Sequence, residues 1–372
     1  MKAIGIILAG GNNNRMKELT AKRAVPALPV AGSFRAIDFS LSSMSNSHIQ
    51  TVAVLTQYNA RSLNEHLSSS KWWNFGRKQG GLFLFTPTVT ADNSDWYRGT
   101  ADAMYQNIDF LKRRHEPYVI ISSGDCVYKL DFNRVLDFHI EKKSDITVVC
   151  KDMMYNDDVS RFGVVRMDDE SRITEFDEKP IEALSNTIST GIYVIRRRQL
   201  IELLEAAAEE NRFDFVNDIL VRYKNVKKIY GYKINSYWNN IADIDAYFKT
   251  NMDFLRPDVR SYFFREEPTI CSKVDDLPPA KFNPGSDISN SLVSSGCIIN
   301  GRVEDSVLFK QVFVGKNTTV KNCVILNDVY IGDNVHLENC IVESRGTINP
   351  NTCYCGEDGV MIVKEKNVRY VI

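Results

Sequence analysis

The sequence predicts an α/β domain, a proline-rich connection and a C-terminal parallel β-helix. Three observations predict this order. Up to about residue 250, short apolar runs alternate with amphipathic stretches, the pattern of a sheet with helices on both faces. Prolines at 257, 268, 278, 279 and 284 then interrupt any long element between Arg256 and Ser286, which marks a linker wrapped over a surface. Beyond Ser286, Val314, Val320, Ile325, Ile331, Leu337 and Val342 follow at steps of 6, 5, 6, 6 and 5, so each aliphatic position recurs after 17 residues. Val303 and Leu308 extend the same phase backwards. Three short strands per 17 residues describe one triangular coil, whose inward aliphatic side chains stack on the next coil. A β-sandwich with irregular turns would not hold that phase over two coils.

The elements follow in order. Ala3–Leu8 is a continuous apolar run and reads as a buried strand. Gly10 and Gly11 follow it, and two glycines let the backbone turn tightly and bring N–H groups close to a phosphate, with Arg15 placed to lie along an anionic chain. A strand followed by Gly-Gly also describes an ordinary strand-to-helix turn. Residues 51–55, 118–122, 146–150 and 187–195 read as further strands, and 101–113 and 198–209 as helices. The expected organisation is a domain over 1–254, a linker over 255–285 and a β-helix over 286–372.

At 372 residues the chain is long enough for two or three domains of roughly 150 residues. Lys plus Arg number 46 and Asp plus Glu 47, a formal net charge of −1, so no broad basic surface for nucleic acid is implied. No apolar stretch approaches the ~18–20 residues of a membrane span, and the expectation is a cytoplasmic protein. The eight cysteines are scattered except for Cys353-Tyr354-Cys355, whose single intervening residue is tighter than the usual zinc-ligand spacing. They read as free thiols, and the five histidines form no ligand pattern with them.

Six segments carry a resemblance. They are Leu8-Ala9-Gly10-Gly11, Phe34-Arg35-Ala36-Ile37-Asp38-Phe39, Trp96-Tyr97-Arg98-Gly99-Thr100-Ala101-Asp102-Ala103, Ser123-Gly124-Asp125-Cys126-Val127-Tyr128-Lys129, Arg161-Phe162-Gly163 and Glu178-Lys179-Pro180. In order and spacing they resemble the glucose-1-phosphate adenylyltransferase family. That resemblance implies a Rossmann-like, GT-A-like nucleotidyltransferase domain followed by a left-handed β-helix, with tetrameric assembly. It also implies synthesis of ADP-glucose from ATP and glucose 1-phosphate, with Mg²⁺ as cofactor. Carried over residue by residue, it places Gly10, Gly11, Gly99 and Thr100 at the nucleotide. Gly163, Glu178, Lys179 and Ser189 fall at the sugar phosphate, and Arg15 and Asp125 at the reacting phosphates, with Asp125 a metal ligand.

The reaction crowds negative charge around the α-phosphorus, so it depends on cations and metal-binding carboxylates. Here those groups are edited. The family's opening loop, Gly-Gly-x-Gly-(Ser/Thr)-Arg-Leu, has Asn13 at its third glycine. The family pattern Arg-Ala-Lys-Pro-Ala-Val-Pro-Phe-Gly-Gly-Lys aligns without gaps on 23–33 and puts Val25 and Ser33 at its two lysines. Cys126 replaces the histidine of Ser-Gly-Asp-His, and Asn240 replaces the second metal aspartate of Tyr-Trp-x-Asp-Val-Gly-Thr. In Asp214-Phe215-Val216-Asn217-Asp218, Val216 and Asn217 stand for a glycine and a lysine. Losing one preorganised charge-stabilising group typically costs about 3–4 kcal/mol, or roughly 10²- to 10³-fold in rate. Several together imply a reduction of ~10⁴-fold or more, without strict additivity.

The pattern of a kept scaffold and deleted charges implies a regulatory, non-catalytic subunit that pairs with a catalytic subunit as a heterotetramer and retains a possible sugar-phosphate or nucleotide pocket. The alternative is a self-sufficient but weak adenylyltransferase relying on Asp125. A third reading, a hexapeptide-repeat acyltransferase, would need a histidine on a coil surface, and His336 is the one histidine after His139.

Overall fold

The computed structural model describes residues 2–11, 14–76, 80–89, 95–154 and 157–365. The N-terminal part is built on a sheet of nine strands among these residues. At its centre Ala3–Leu8 lies parallel to both Thr51–Leu55 and Tyr118–Ser123, and Gly81–Phe85 extends the parallel edge. Strands covered on both faces need apolar residues at every position, and Ala3, Ile4, Ile6, Ile7, Val52, Val54, Val119 and Ile121 are all buried. Thr187–Arg196 runs antiparallel to Tyr118–Ser123 and Ile146–Asp152, and Ile229–Lys233 pairs parallel to the latter. Gly163–Met167 and Ile173–Glu178 form a hairpin at the far edge.

The helices differ from expectation in two places. The stretch read as one helix over 101–113 is two, Thr100–Tyr105 and Ile108–Lys112, with the chain out of helical geometry at Asn107 (φ −110°, ψ 21°). The Asn107 amide instead donates to the Ala103 carbonyl and to the Tyr97 hydroxyl, at 2.9 Å each. This is the local competition by which asparagine interrupts helices. Secondly, the supposed linker contains a helix, Pro257–Phe264. Proline at the first helical position has no N–H to leave unsatisfied and a φ already suited to the helix, so Pro257 starts this element instead of breaking one. Its Val259 and Phe263 are buried.

The C-terminal domain is a left-handed parallel β-helix of three five-stranded sheets, and its first strand is Lys281–Phe282, ahead of the expected start at 286. The 17-residue step is visible in the register: Thr319 pairs with His336, and His336 with Cys353. Val303, Val314, Val320, Ile325, Ile331, Leu337 and Val342 all point into one core. The last coil is longer, pairing Cys340 with Met361.

The two domains share a hydrophobic cluster. Met16, Leu19, Val25, Phe39, Tyr247, Phe254 and Phe263 from the first domain pack with Val307, Phe309, Val324, Leu326 and Ile341 from the outer face of the β-helix. Arg23 crosses the same boundary to Glu343, 2.5 Å away with both side chains largely buried.

Candidate functional site

The carboxyl end of the sheet, where α/β folds place their ligands, is organised around Asp125. This residue lies between the strands Tyr118–Ser123 and Cys126–Tyr128, and the Gly124 N–H donates to the Leu8 carbonyl at 3.0 Å. A Cβ at Gly124 would meet Ile7 and the Pro26 ring, each at 3.2 Å, so glycine lets the Val25–Ala27 turn close over this loop. The strand Trp238–Asn240 pairs antiparallel with Cys126–Tyr128, with Asn240 opposite Cys126. The resemblance-derived pair Asp125 and Asn240 is therefore brought together across two strands.

Asp125 Oδ1 and both polar atoms of the Asn240 amide are engaged by neighbouring side chains and backbone. Ser123 Oγ donates to Asp125 Oδ1 at 2.5 Å, and Cys126 Sγ lies 3.4 Å from the same oxygen. Asn240 directs its amide NH₂ to Cys126 Sγ at 3.4 Å, while its Oδ1 accepts the Ala242 N–H at 3.0 Å. Burial pushes the Cys126 thiol well up, and the neighbouring Asp125 charge adds to this, so the sulfur stays protonated. Val25 is buried in the cluster that also holds Val127 and Ile241. At this position the chain presents hydrocarbon where the family has an ammonium group.

Gly163, Glu178, Lys179 and Ser189, which the resemblance places at a sugar phosphate, gather at the hairpin and the adjoining bend. Gly163 sits opposite Glu178 in the antiparallel register. An added Cβ there would come within 2.8 Å of Phe176 Cε1 and 2.9 Å of Glu178 Oε2, so glycine is required for the carboxylate to lie across the strand. Glu178 is paired with Lys179 Nζ at 3.0 Å, and Lys179 adopts a positive φ of 50° that turns its side chain out. Ser189 lies where the register of Thr187–Arg196 shifts, and its hydroxyl is 3.2 Å from the Tyr193 hydroxyl. Burial, with Glu178 and Asp214 nearby, raises the Tyr193 phenol and keeps it a neutral hydrogen-bonding group.

On the nucleotide side, Gly10 and Gly11 follow the first strand as expected, with Gly11 exposed; Asn13 lies outside the described residues. Arg15 is exposed and close enough to Asp158 and Arg161 to act on their ionisation. Gly99 has a packing reason of its own: its Cβ would fall 2.3 Å from the Phe213 carbonyl oxygen, which caps Ala101 N–H at 2.8 Å. Thr100 Oγ1 accepts the Phe215 N–H at 2.9 Å. Gly99 and Thr100 thus fasten the segment carrying Val216 and Asn217 to the start of the helix Thr100–Tyr105, and Asn217 itself is exposed. Ser33 does not belong here. It lines a cavity of about 710 Å³ between the two domains, together with Arg35, Arg61, Lys273 and Lys310. Its lost lysine is therefore a charge missing from the domain junction and not from the phosphate site, which the alignment alone could not separate.

Sequence reasoning missed a second ion pair at the site. Arg161, from the segment preceding Gly163, is bonded to Asp243, which also caps the helix Ile244–Asp253 through the Ala246 N–H at 2.8 Å. Asp243 occupies the last position of the Tyr-Trp-x-Asp-Val-Gly-Thr pattern, so the signal was an acid where that pattern has a hydroxyl.

Comparison with known proteins agrees with both halves of this architecture. Residues 4–256 match the family model described as nucleotidyl transferase, and residues 278–362 the one described as GlmU-like, C-terminal hexapeptide. A glucose-1-phosphate adenylyltransferase of Geobacillus stearothermophilus is 39% identical over 365 residues, covering 97% of this chain and 94% of that protein. Enzymes of the same name from Clostridium novyi and Bacillus subtilis are 38% and 36% identical, each over about 85% of this chain and 84% of theirs. The chain belongs to the glucose-1-phosphate adenylyltransferase family.

Nucleotidyltransferases of this kind work with Mg²⁺, and the residues present here do not fit it. Mg²⁺ is held by carboxylates together with substrate phosphates. This family member offers one carboxylate, Asp125, with an oxygen already engaged by Ser123 and Cys126. The Asn240 oxygen is taken by the Ala242 N–H, and the thiol between them is protonated. Among the described residues, the one group of three metal-type side chains whose donor atoms converge lies elsewhere, at His336, Glu338 and Cys355 on the β-helix. No described helix is long and apolar enough to cross a membrane.

Proposed function

We propose that this chain is a regulatory, non-catalytic subunit of glucose-1-phosphate adenylyltransferase, assembling with a catalytic subunit that converts ATP and glucose 1-phosphate to ADP-glucose and pyrophosphate. The observation that carries this reading is the hydrogen-bond chain Ser123–Asp125–Cys126–Asn240–Ala242, which engages Asp125 Oδ1 and the Asn240 oxygen and leaves one carboxylate where the family pattern has two. The contacts that shape the pocket are kept, namely the glycine approaches at 99, 124 and 163. Only the charges are gone, with Val25 buried and Asn240 neutral.

A regulatory role needs a place where ligand or partner changes the balance between states, typically by about 1–3 kcal/mol. The 710 Å³ cavity at the domain junction is suited to this, being lined by eight Lys or Arg and five Asp or Glu residues. An anion bound there would touch both domains at once. Retention of Asp125, Glu178 and Lys179 favours a second reading, a weak self-sufficient enzyme, which predicts pyrophosphate release by this chain alone. The deciding experiment mixes the purified chain with a catalytic glucose-1-phosphate adenylyltransferase subunit and measures sedimentation and kinetics together. A mixed tetramer with altered kinetics of the catalytic partner is expected. Separate homo-oligomers with unchanged partner kinetics would overturn the proposal.

A further inference from the structure

We propose that His336, Glu338, Cys353 and Cys355 form a divalent transition-metal site of the zinc class on the outer face of the β-helix. The four residues come from two neighbouring strands, His336–Glu338 and Cys353–Cys355. The 17-residue coil step sets His336 beside Cys353 and Glu338 beside Cys355 in parallel register. Within each strand an inward residue separates the two candidates, Leu337 in the core and Tyr354 packed against it, so alternation along the strand turns all four candidates outward. The result is a rectangle with sides of roughly 4.8 and 6.6 Å between backbones.

The donor atoms already stand at coordination distances from one another. His336 Nε2 is 3.4 Å from Glu338 Oε2, and the two sulfurs are 3.6 Å apart. Zinc bonds of about 2.3 Å to sulfur and 2.0–2.1 Å to nitrogen or oxygen give tetrahedral edges of roughly 3.8 Å for S···S and 3.4 Å for N···O. Two opposite edges of a tetrahedron are therefore present. The donor atoms of His336, Glu338 and Cys355 also lie within 4.8 Å of one another, and Cys353 joins the group through its 3.6 Å approach to the Cys355 sulfur.

The chemistry of the set selects its ion. Two thiols and an imidazole favour zinc-like metals over Mg²⁺ or Ca²⁺. Lys321 holds Glu338 by its other oxygen, Oε1, at 3.1 Å, which orients the carboxylate and leaves Oε2 for the metal. All four side chains are at the surface: His336 is 42% exposed, Glu338 39%, and neither cysteine is buried. The spacing Cys353-Tyr354-Cys355 is too tight for a zinc motif read along the chain, but the missing ligands lie one coil back. The strand Cys353–Cys355 is the outermost of its sheet, and a metal across it would staple the exposed edge to the preceding coil.

The test uses the full-length chain, reduced and stripped of metal with a chelator, then titrated with Co²⁺ and, in competition with a chromophoric chelator, with Zn²⁺. One metal per chain is expected, with thiolate-to-cobalt charge transfer and the intense visible bands of tetrahedral Co²⁺. The Cys353→Ser/Cys355→Ser variant loses the charge-transfer band, and His336→Ala weakens Zn²⁺ binding at least ~10-fold. Because these side chains point outward, the metal-free variants melt like the metal-free parent. The proposal is overturned by Zn²⁺ binding that is equal in parent and double variant. An octahedral cobalt spectrum, or a Cys353–Cys355 disulfide in protein purified under reducing conditions, would overturn it equally. The readout is binding, so failure here leaves the regulatory-subunit reading untouched.

Discussion

Restoring the two missing charges, Val25→Lys together with Asn240→Asp, gives back two groups that the family pattern carries and this chain lacks. Asn240→Asp needs little rearrangement: one carboxylate oxygen keeps the Ala242 N–H, now at 3.0 Å, and the other replaces the amide nitrogen beside Cys126, whose S–H then has Asp125 and the new carboxylate as alternative acceptors. Val25 is 5% exposed and sits beside Pro26, which touches the loop at Gly124. A lysine stem would thread the same apolar cluster and carry its ammonium toward Asp125. Each restored group is worth about 3–4 kcal/mol in the transition state, or roughly 10²- to 10³-fold in rate. Because the two act on the same phosphates, they do not add fully, and a combined gain of at least ~10²-fold is expected. The assay is Mg²⁺-dependent pyrophosphate release from ATP and glucose 1-phosphate, with Asp125→Asn added to the double variant as the control that removes the gain. A double variant that melts like the parent and stays as inactive would show that the deleted charges are not what silences the site.

Three further outcomes follow from the packing. Gly163→Ala forces a methyl to within 2.8–2.9 Å of Phe176 and Glu178, so urea unfolding should show a loss of about 1–3 kcal/mol, and calorimetry a weaker response to glucose 1-phosphate. Asp38→Ala removes a fully buried carboxylate that accepts the Arg35 N–H at 2.8 Å and meets His66 Nε2 at 2.7 Å; a loss of about 2–4 kcal/mol is expected in the same assay, and no measurable change would contradict a stabilising role for these two hydrogen bonds. His139 is buried, with its pKa lowered from 6.5 to about 4 by burial and then by Arg196. A depressed histidine pKa means that the unfolded chain binds more protons, so stability is full above pH 6.5 and falls by roughly 2–3 kcal/mol as the pH drops toward 4. His139→Leu should flatten that acid limb, and an unchanged slope would place its cause in another group.

What the sequence disclosed and what it concealed have separate physical causes. Buried parallel strands must be apolar at every position, so Ala3–Leu8 and Thr51–Leu55 were legible to the residue. The β-helix was legible because its core repeats with the coil, although its start at Lys281 was not, the strand Lys281–Phe282 being exposed. Pro257 was read as a breaker because composition does not distinguish the first turn of a helix from its middle. At the site, residue types showed which charges were gone. They could not show that Asn240 and Cys126 face each other and satisfy each other across two strands, or that Ser33 opens on a different cavity. His336 and Cys353 were each visible and meaningless alone, because their relation is the 17-residue step itself.

Whether this chain has kept the pocket and lost the chemistry is decided by pyrophosphate release from ATP and glucose 1-phosphate by the purified chain alone, at high enzyme concentration and saturating Mg²⁺. Turnover at least ~10⁴-fold below that of a catalytic family member measured in parallel is expected. Turnover within about tenfold of that enzyme, abolished by Asp125→Asn, would contradict it.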